Sequence, residues 1–217
     1  MPLQNRVTPT GDIVADNARG TMMGNRGGAL HDADRKLGTR RWVSRQWICC
    51  HLAFNDRHRR VMAPRRYTEL FFLDEATAFA AGHRPCFECR RADAEHFAAL
   101  WSRARGLETR PRADEIDQIL HAERLDTPSA KRPHTVVAKR LHPMSLDAMP
   151  PGSMFLDRET ARPALVQACH IRAWTSAGYG PPSPRPASIG VEALTPPSII
   201  AAIKLGYRPT IHETAGE

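Results

Sequence analysis

Apolar residues recur at helical spacing in four stretches of the chain, and most other apolar positions form short strand-like runs. Arg41–Phe54 has strand-like content, Asn55 and Asp56 follow as a turn, and Arg59–Ala63 reads as the returning arm of a hairpin. Tyr67–Leu73, aromatic and aliphatic, predicts a third strand. Asp74 then N-caps a short helix over Glu75–Ala81, which Gly82 stops. Phe97, Leu100 and Trp101 share a face of a second helix, Arg90–Arg105, and Ile116, Ile119 and Leu120 mark a third over Asp114–Leu125.

Beyond these, four prolines fall within residues 131–151 and predict a linker or long loop. Ser153–Asp157, Ala164–Cys169, Ile171–Thr175 and Gly190–Leu194 read as strands, interrupted by the proline-rich stretch Gly178–Pro186. Thr195 caps a last helix with Pro196 at its first position and Ile199, Ile200 and Ile203 on one face. Residues 1–40 carry six glycines and read as loops around short strands. The fold class is therefore α+β in three parts: residues 1–130, a basic proline-containing connection over 131–152, and a β-rich portion with a terminal helix over 153–217.

Composition narrows the function. Hydrophobic residues make up 41% of the 217, and no apolar run approaches the roughly 20 residues that a membrane span needs. The first residues lack a secretory apolar core, so the expected location is the cytoplasm. Lys and Arg total 31 against 23 acids, a net charge of +8, most of it from arginine. That balance favours a polyanionic partner, DNA foremost, through phosphate contacts. The densest basic run is Arg57, Arg59, Arg60, Arg65 and Arg66 with His58, a phosphate-contacting surface or simply a charged turn. Aromatic residues, at 6%, are too scattered along the sequence to mark base-stacking platforms.

The five cysteines carry the specific chemistry. Cytoplasmic thiols are kept reduced, so the pairs Cys49-Cys50 and Cys86-x-x-Cys89 point to metal ligation or reactivity, not to disulfides. Pro85-Cys86-Phe87-Glu88-Cys89 directly before a helix is a recurrent zinc half-site, since thiolates three residues apart reach one ion at about 2.3 Å. No thioredoxin-like βαβ pattern surrounds it. Adjacent Cys49 and Cys50 point to opposite faces of a strand, so one ligates and the other packs. The fourth ligand stays open among His51, His31, His83, His121 and Cys169.

The row Phe71–Cys89, with Ala80-Ala81-Gly82-His83-Arg84-Pro85 leading into the cysteine pair, resembles the metal-binding domain of Ada-type methylphosphotriester DNA-repair proteins. The likeness covers about twenty residues, and about fifty if Trp47-Ile48-Cys49 matches that family's first cysteine segment. It implies an Ada-like zinc-binding N-terminal half, DNA association, and a methyl-accepting zinc thiolate at Cys49 or Cys50. The family spaces its first two cysteines as Cys-x-x-x-Cys, whereas this chain has Cys49-Cys50-His51 and Ala53 at the second position.

Two other chemistries compete. A zinc-dependent hydrolase or deaminase acting on a base or nucleotide would pair Cys86 and Cys89 with His121 and Glu123, Asp117 orienting His121. Asp117, His121 and Arg124 also suit an ordinary solvated helix face with an i, i+4 pair. The N-terminal Asn5, Arg6, Arg19, Asn25, Arg26, His31 and Asp32 form a second polar set able to surround a phosphate or base, although no Walker loop is present. A non-enzymatic nucleic-acid-binding protein with structural zinc completes the alternatives.

Overall fold

The computed structural model describes residues 1–56, 60–126 and 139–216; Arg57, His58 and Arg59 of the basic run and His134 of the expected linker lie outside the described residues. In chain order the elements are β1 (Gln4–Val7), β2 (Ile13–Ala15), β3 (Met22–Asn25), β4 (Ile48–Cys50), β5 (Leu70–Phe72), α1 (Glu75–Ala80), β6 (Arg84–Pro85), α2 (Arg91–Ala104) and α3 (Ala113–Arg124). There follow β7 (His142–Ser145), β8 (Met154–Asp157), β9 (Arg162–Val166), β10 (His170–Thr175), β11 (Gly178–Pro184), β12 (Gly190–Ala193) and α4 (Pro197–Lys204).

The strands form two sheets, one mixed and one antiparallel, which with the helices give an α+β architecture. The first runs β2-β1-β5-β3-β4-β6, parallel at β1–β5 and β4–β6. The second runs β11-β10-β9-β8-β12-β7, antiparallel throughout.

Helix α1 joins them, and its alanines explain how. Ala78, with Ala81 just beyond the helix, packs into the first sheet's core with Val7, Leu70 and Phe72. Ala76 and Ala80 face Met154, Leu165 and Leu194 of the second sheet. Small side chains on both faces let one six-residue helix sit between two sheets, and all six of its residues are buried. Phe79 points a third way, into a cluster with Phe97, Trp101, Ile116, Leu120, Ile199 and Tyr207 that gathers α2, α3 and α4.

Two carboxylates at the start of α1 tie down distant segments. Asp74 Oδ1 accepts the Thr77 N–H at 2.8 Å as the N-cap, and Oδ2 accepts from the Tyr179 hydroxyl at 2.8 Å and the His212 N–H at 3.0 Å. Glu75 accepts from the Tyr207 hydroxyl at 2.8 Å and the Thr210 N–H at 2.9 Å, and pairs with Arg90 at 2.8 Å. Each buried charge is thus hydrogen-bonded, as its desolvation requires.

Several sequence expectations change. Residues 60–63 are turn and coil, so no hairpin returns from β4 among the described residues, and β4 instead pairs with β3 and β6. The proline-rich stretch from Gly178 is itself strand β11, tolerated because it is an edge of its sheet and needs few donors. The 131–152 segment contributes β7, paired to β12, and a 3₁₀ turn over Leu146–Ala148, so its described part belongs to the second sheet. Thr195 does not cap α4: Pro196 takes that position, and the buried Thr195 hydroxyl accepts from Met154 N–H at 2.9 Å.

Candidate metal centre

β4 is three residues long, and its pleat separates the two adjacent cysteines. Cys49 enters the first sheet's core with Val7, Leu70 and Phe72. Cys50 occupies the opposite face, in register with Met23 of β3, which in turn faces Phe71 of β5. The parallel pair β4–β6 then brings Cys86 alongside, its N–H donating to the Cys49 carbonyl at 2.9 Å. The chain turns from Cys86 into α2, with Arg90 N–H bonded to the Cys86 carbonyl at 3.0 Å, so Cys89 lies at the positive end of a 14-residue helix.

The sulfurs of Cys50, Cys86 and Cys89 all lie within 4.8 Å of one another. Three tetrahedral ligands at zinc–sulfur distances of about 2.3 Å would stand roughly 3.8 Å apart, so the set fits such an ion with a small contraction. The protonation pattern also suits a cation. Cys86 is pulled far below the ordinary thiol value, first by hydrogen bonds from Cys50 and Cys89, with the Cys89 and Glu88 N–H groups adding to this against burial. Cys50 is pushed up, first by its closeness to the Cys86 sulfur, then by that of Cys89 and by burial. Cys89 accepts from Cys50 but donates to Cys86 and is partly desolvated, and its net shift is upward. The geometry brings three sulfurs close enough to share one divalent cation, which would replace the thiol protons on binding.

No His, Asp or Glu among the described residues completes a four-ligand set. His51 is exposed beside Cys50. His31 contacts the Thr68 hydroxyl at 2.6 Å and the Ala63 carbonyl at 3.2 Å. His83 is fully buried, its Nε2 accepting from Arg26 Nε at 3.3 Å, and burial first, then the Arg26 and Arg124 charges, keep it neutral. Cys169 is exposed beside β10 of the other sheet. Cys49 stays a thiol: burial raises it first, with Glu75 adding and Arg90, 3.6 Å from its sulfur, opposing.

The residues of the hydrolase alternative are engaged elsewhere. Asp117 forms a two-point buried pair with Arg84, at 2.9 and 2.7 Å. His121 Nδ1 is 2.9 Å from Arg124, and Glu123 accepts from Ser198 Oγ and N–H at 2.5 and 3.1 Å. Arg26 and Arg124 of the remaining polar residues lie 4.0 and 3.9 Å from the Trp47 ring and brace β4 from behind.

The open side of the three sulfurs is a pocket of about 310 Å³. Its walls include His51, Glu69 and Glu88, and the half-buried rings of Phe54, Tyr67 and Phe71, gathered from positions that look scattered in the sequence. His51, Leu52, Phe54, Val61 and Tyr67 line one side of it, and the exposed Arg60, Arg65 and Arg66 lie next to Val61 and Tyr67 in the chain. Nearby, Asn55, Asp56, Met62 and Arg65 all have left-handed backbone, with φ of 51°, 48°, 55° and 61°. For Met62 and Arg65 that conformation costs about 1–2 kcal/mol each, strain of the kind stored near binding sites. Sequence reasoning missed Glu69: nothing in its local pattern sets it apart from other acids, and only the register of β3 and β5 brings it to the cysteine face.

No helix among the described residues is long and apolar enough to cross a membrane. Comparison with protein-family models, curated proteins and solved structures finds no match to the chain.

Proposed function

We propose that the protein is a zinc enzyme whose metal, held by Cys50, Cys86 and Cys89, keeps its fourth coordination position for a ligand admitted to the pocket. The observation that carries this reading is the open side of the sulfur cluster: three sulfurs converge without a fourth protein ligand among the described residues, and a ligand-sized cavity begins there. A structural zinc is closed by four protein ligands, whereas a catalytic one leaves a position for water or substrate. Zinc bound there would act as a Lewis acid and bring a water in the open position to a pKa near neutrality, the chemistry of hydrolytic zinc enzymes. Around it, His51 and Glu88 stand on the same walls, and Phe54, Tyr67 and Phe71 narrow the cavity.

The partner in this reading is nucleic acid in the cytoplasm. Arg60, Arg65 and Arg66 are exposed and adjoin the wall residues Val61 and Tyr67 in the chain, suited to hold a phosphate backbone while one group enters the pocket. The methyl-accepting reading implied by the Ada-type resemblance also has an observation in its favour. The sulfurs open into a cavity, where an alkyl group can reach them, and zinc keeps such thiolates nucleophilic.

Metal analysis of the purified chain, followed by cobalt substitution, tests the proposal. One metal per chain and a thiolate-rich cobalt spectrum that shifts on adding azide support the open site. A chain without metal, or a spectrum indifferent to azide, overturns it. Exposure to a methylphosphotriester DNA followed by intact-mass measurement separates the two chemistries: a methyl adduct on one of the three cysteines selects the acceptor reading.

A further inference from the structure

Glu69 presents a problem that the metal centre does not explain. It is 2% exposed, one carboxylate oxygen accepts the Met62 N–H at 2.7 Å, and the other, Oε1, has no hydrogen-bond partner among the described residues. Buried carboxylate oxygens are normally satisfied, so an orphan on the wall of a cavity marks a place for a donor that the chain itself does not supply.

The sheet fixes what stands beside it. Register between β3 and β5 pairs Met23 with Phe71 and Gly24 with Leu70, and continued by one residue it sets Asn25 opposite Glu69. Both line the pocket. Asn25 Oδ1 accepts the Gly27 N–H at 3.0 Å, which leaves its Nδ2 as the donor. Glu69 and Asn25 therefore offer an acceptor and a donor side by side. Tyr67 and Phe71, two residues to either side of Glu69, supply ring surface on the same face.

We infer that this end of the pocket binds an amino-bearing nucleobase, the exocyclic N–H donating to Glu69 Oε1 and the adjacent ring nitrogen accepting from Asn25 Nδ2. Adenine and cytosine both present that edge, and a base leaving the stack is read by hydrogen bonds to it together with ring contacts. The inference rests on the proposed function and sharpens its substrate class. It also orients the ligand. Order β5-β3-β4 puts two strand spacings, about 10 Å, between the Glu69 and Cys50 strands, so the amine is recognised and the opposite side of the base faces the sulfurs.

Calorimetric titration of the zinc-loaded full chain with adenine, cytosine and their N,N-dimethylated forms, free and within a short single strand, tests this. Wild type should bind at least one amino base at least ten-fold more tightly than its dimethyl form, and the free and strand-borne arms show whether the sugar-phosphate is needed. Glu69→Gln keeps the volume, but its one oxygen is taken by Met62 N–H, so an amide NH₂ replaces the acceptor. This variant should lose the ten-fold preference while keeping its zinc content and melting temperature. No base bound by zinc-loaded wild type, or an unchanged preference in E69Q, overturns the inference. Repeating the titration on metal-free chain separates it from the metal proposal: base preference without metal leaves the Glu69 assignment standing when the zinc reading fails.

Discussion

Cys49 and Cys50, adjacent on β4, present their sulfurs to opposite faces of the first sheet: Cys49 to the core beside Arg90, Cys50 to the pocket with Cys86 and Cys89. Substitution should part them cleanly. Cys50→Ser is expected to abolish stoichiometric zinc, as Cys86→Ser and Cys89→Ser should. Cys49→Ser should retain the metal and instead lower stability by about 1–3 kcal/mol, the cost of a hydroxyl in an apolar site. Metal content and urea midpoints on the four variants check this, and zinc loss in C49S alone would refute the assignment.

The exposed arginines make a prediction in salt. Replacing Arg60, Arg65 and Arg66 together by Ala should weaken nucleic-acid binding and flatten the dependence of log affinity on log salt. Every phosphate that the variant leaves unneutralised reduces the slope by about 0.7 on single strands and about 0.9 on duplex. A slope equal to wild type would mean that these side chains touch no phosphate.

Much of this is legible in sequence. Asp74 as a cap, Gly82 as a stop and the Cys86–Cys89 pair leading into a helix follow from side-chain chemistry within a few residues, and the structure has all three. The separation of Cys49 from Cys50 follows from strand alternation. Which of them joins Cys86 depends on which face of β4 meets the core, set by partners more than twenty residues away. β11 escapes sequence reading because its prolines weaken a strand anywhere but at an edge, and edge position is a property of the sheet. Glu69 and Asn25 become a pair only through the β3–β5 register.

Gly82 gives a stability test. Its φ of +84° is left-handed, and a Cβ there would stand 2.7 Å from two carbons of the Arg124 side chain. Gly82→Ala should therefore cost about 2 kcal/mol or more, the backbone strain alone being about 1–2. For a chain of this size, that lowers the melting temperature by roughly 2–4 °C per kcal/mol. A loss of only about 1–2 kcal/mol would mean that Arg124 moves aside, releasing its 2.9 Å bond to the Gly82 carbonyl, and an unchanged melting curve would refute the strain itself.

Lys139 sets a pH dependence. Burial first, then Arg124 and Arg26, push its ammonium down to about 7, with Glu123 opposing. Below that value folded and unfolded chains both hold the proton, and the folded state bears the full cost of the buried charge. Between about 7 and the ordinary lysine value near 10.4 the unfolded chain holds more protons, so this group makes stability rise with pH. Lys139→Met should flatten that part of the profile, read as the difference in urea midpoint between the two proteins across the window. Parallel profiles would rule Lys139 out as its source.

The carboxylates at the start of α1 bear on how the chain is made. Asp74 and Glu75 meet Tyr179, Tyr207, Thr210 and His212 only after more than a hundred further residues have been added. During synthesis the helix between β5 and β6 therefore holds two acids short of their distant partners, and β6, which leads into Cys86, follows directly from it. A ribosome-bound chain halted before Tyr179 should hold the three cysteines in a looser arrangement than the finished protein, with metal capture maturing late in translation.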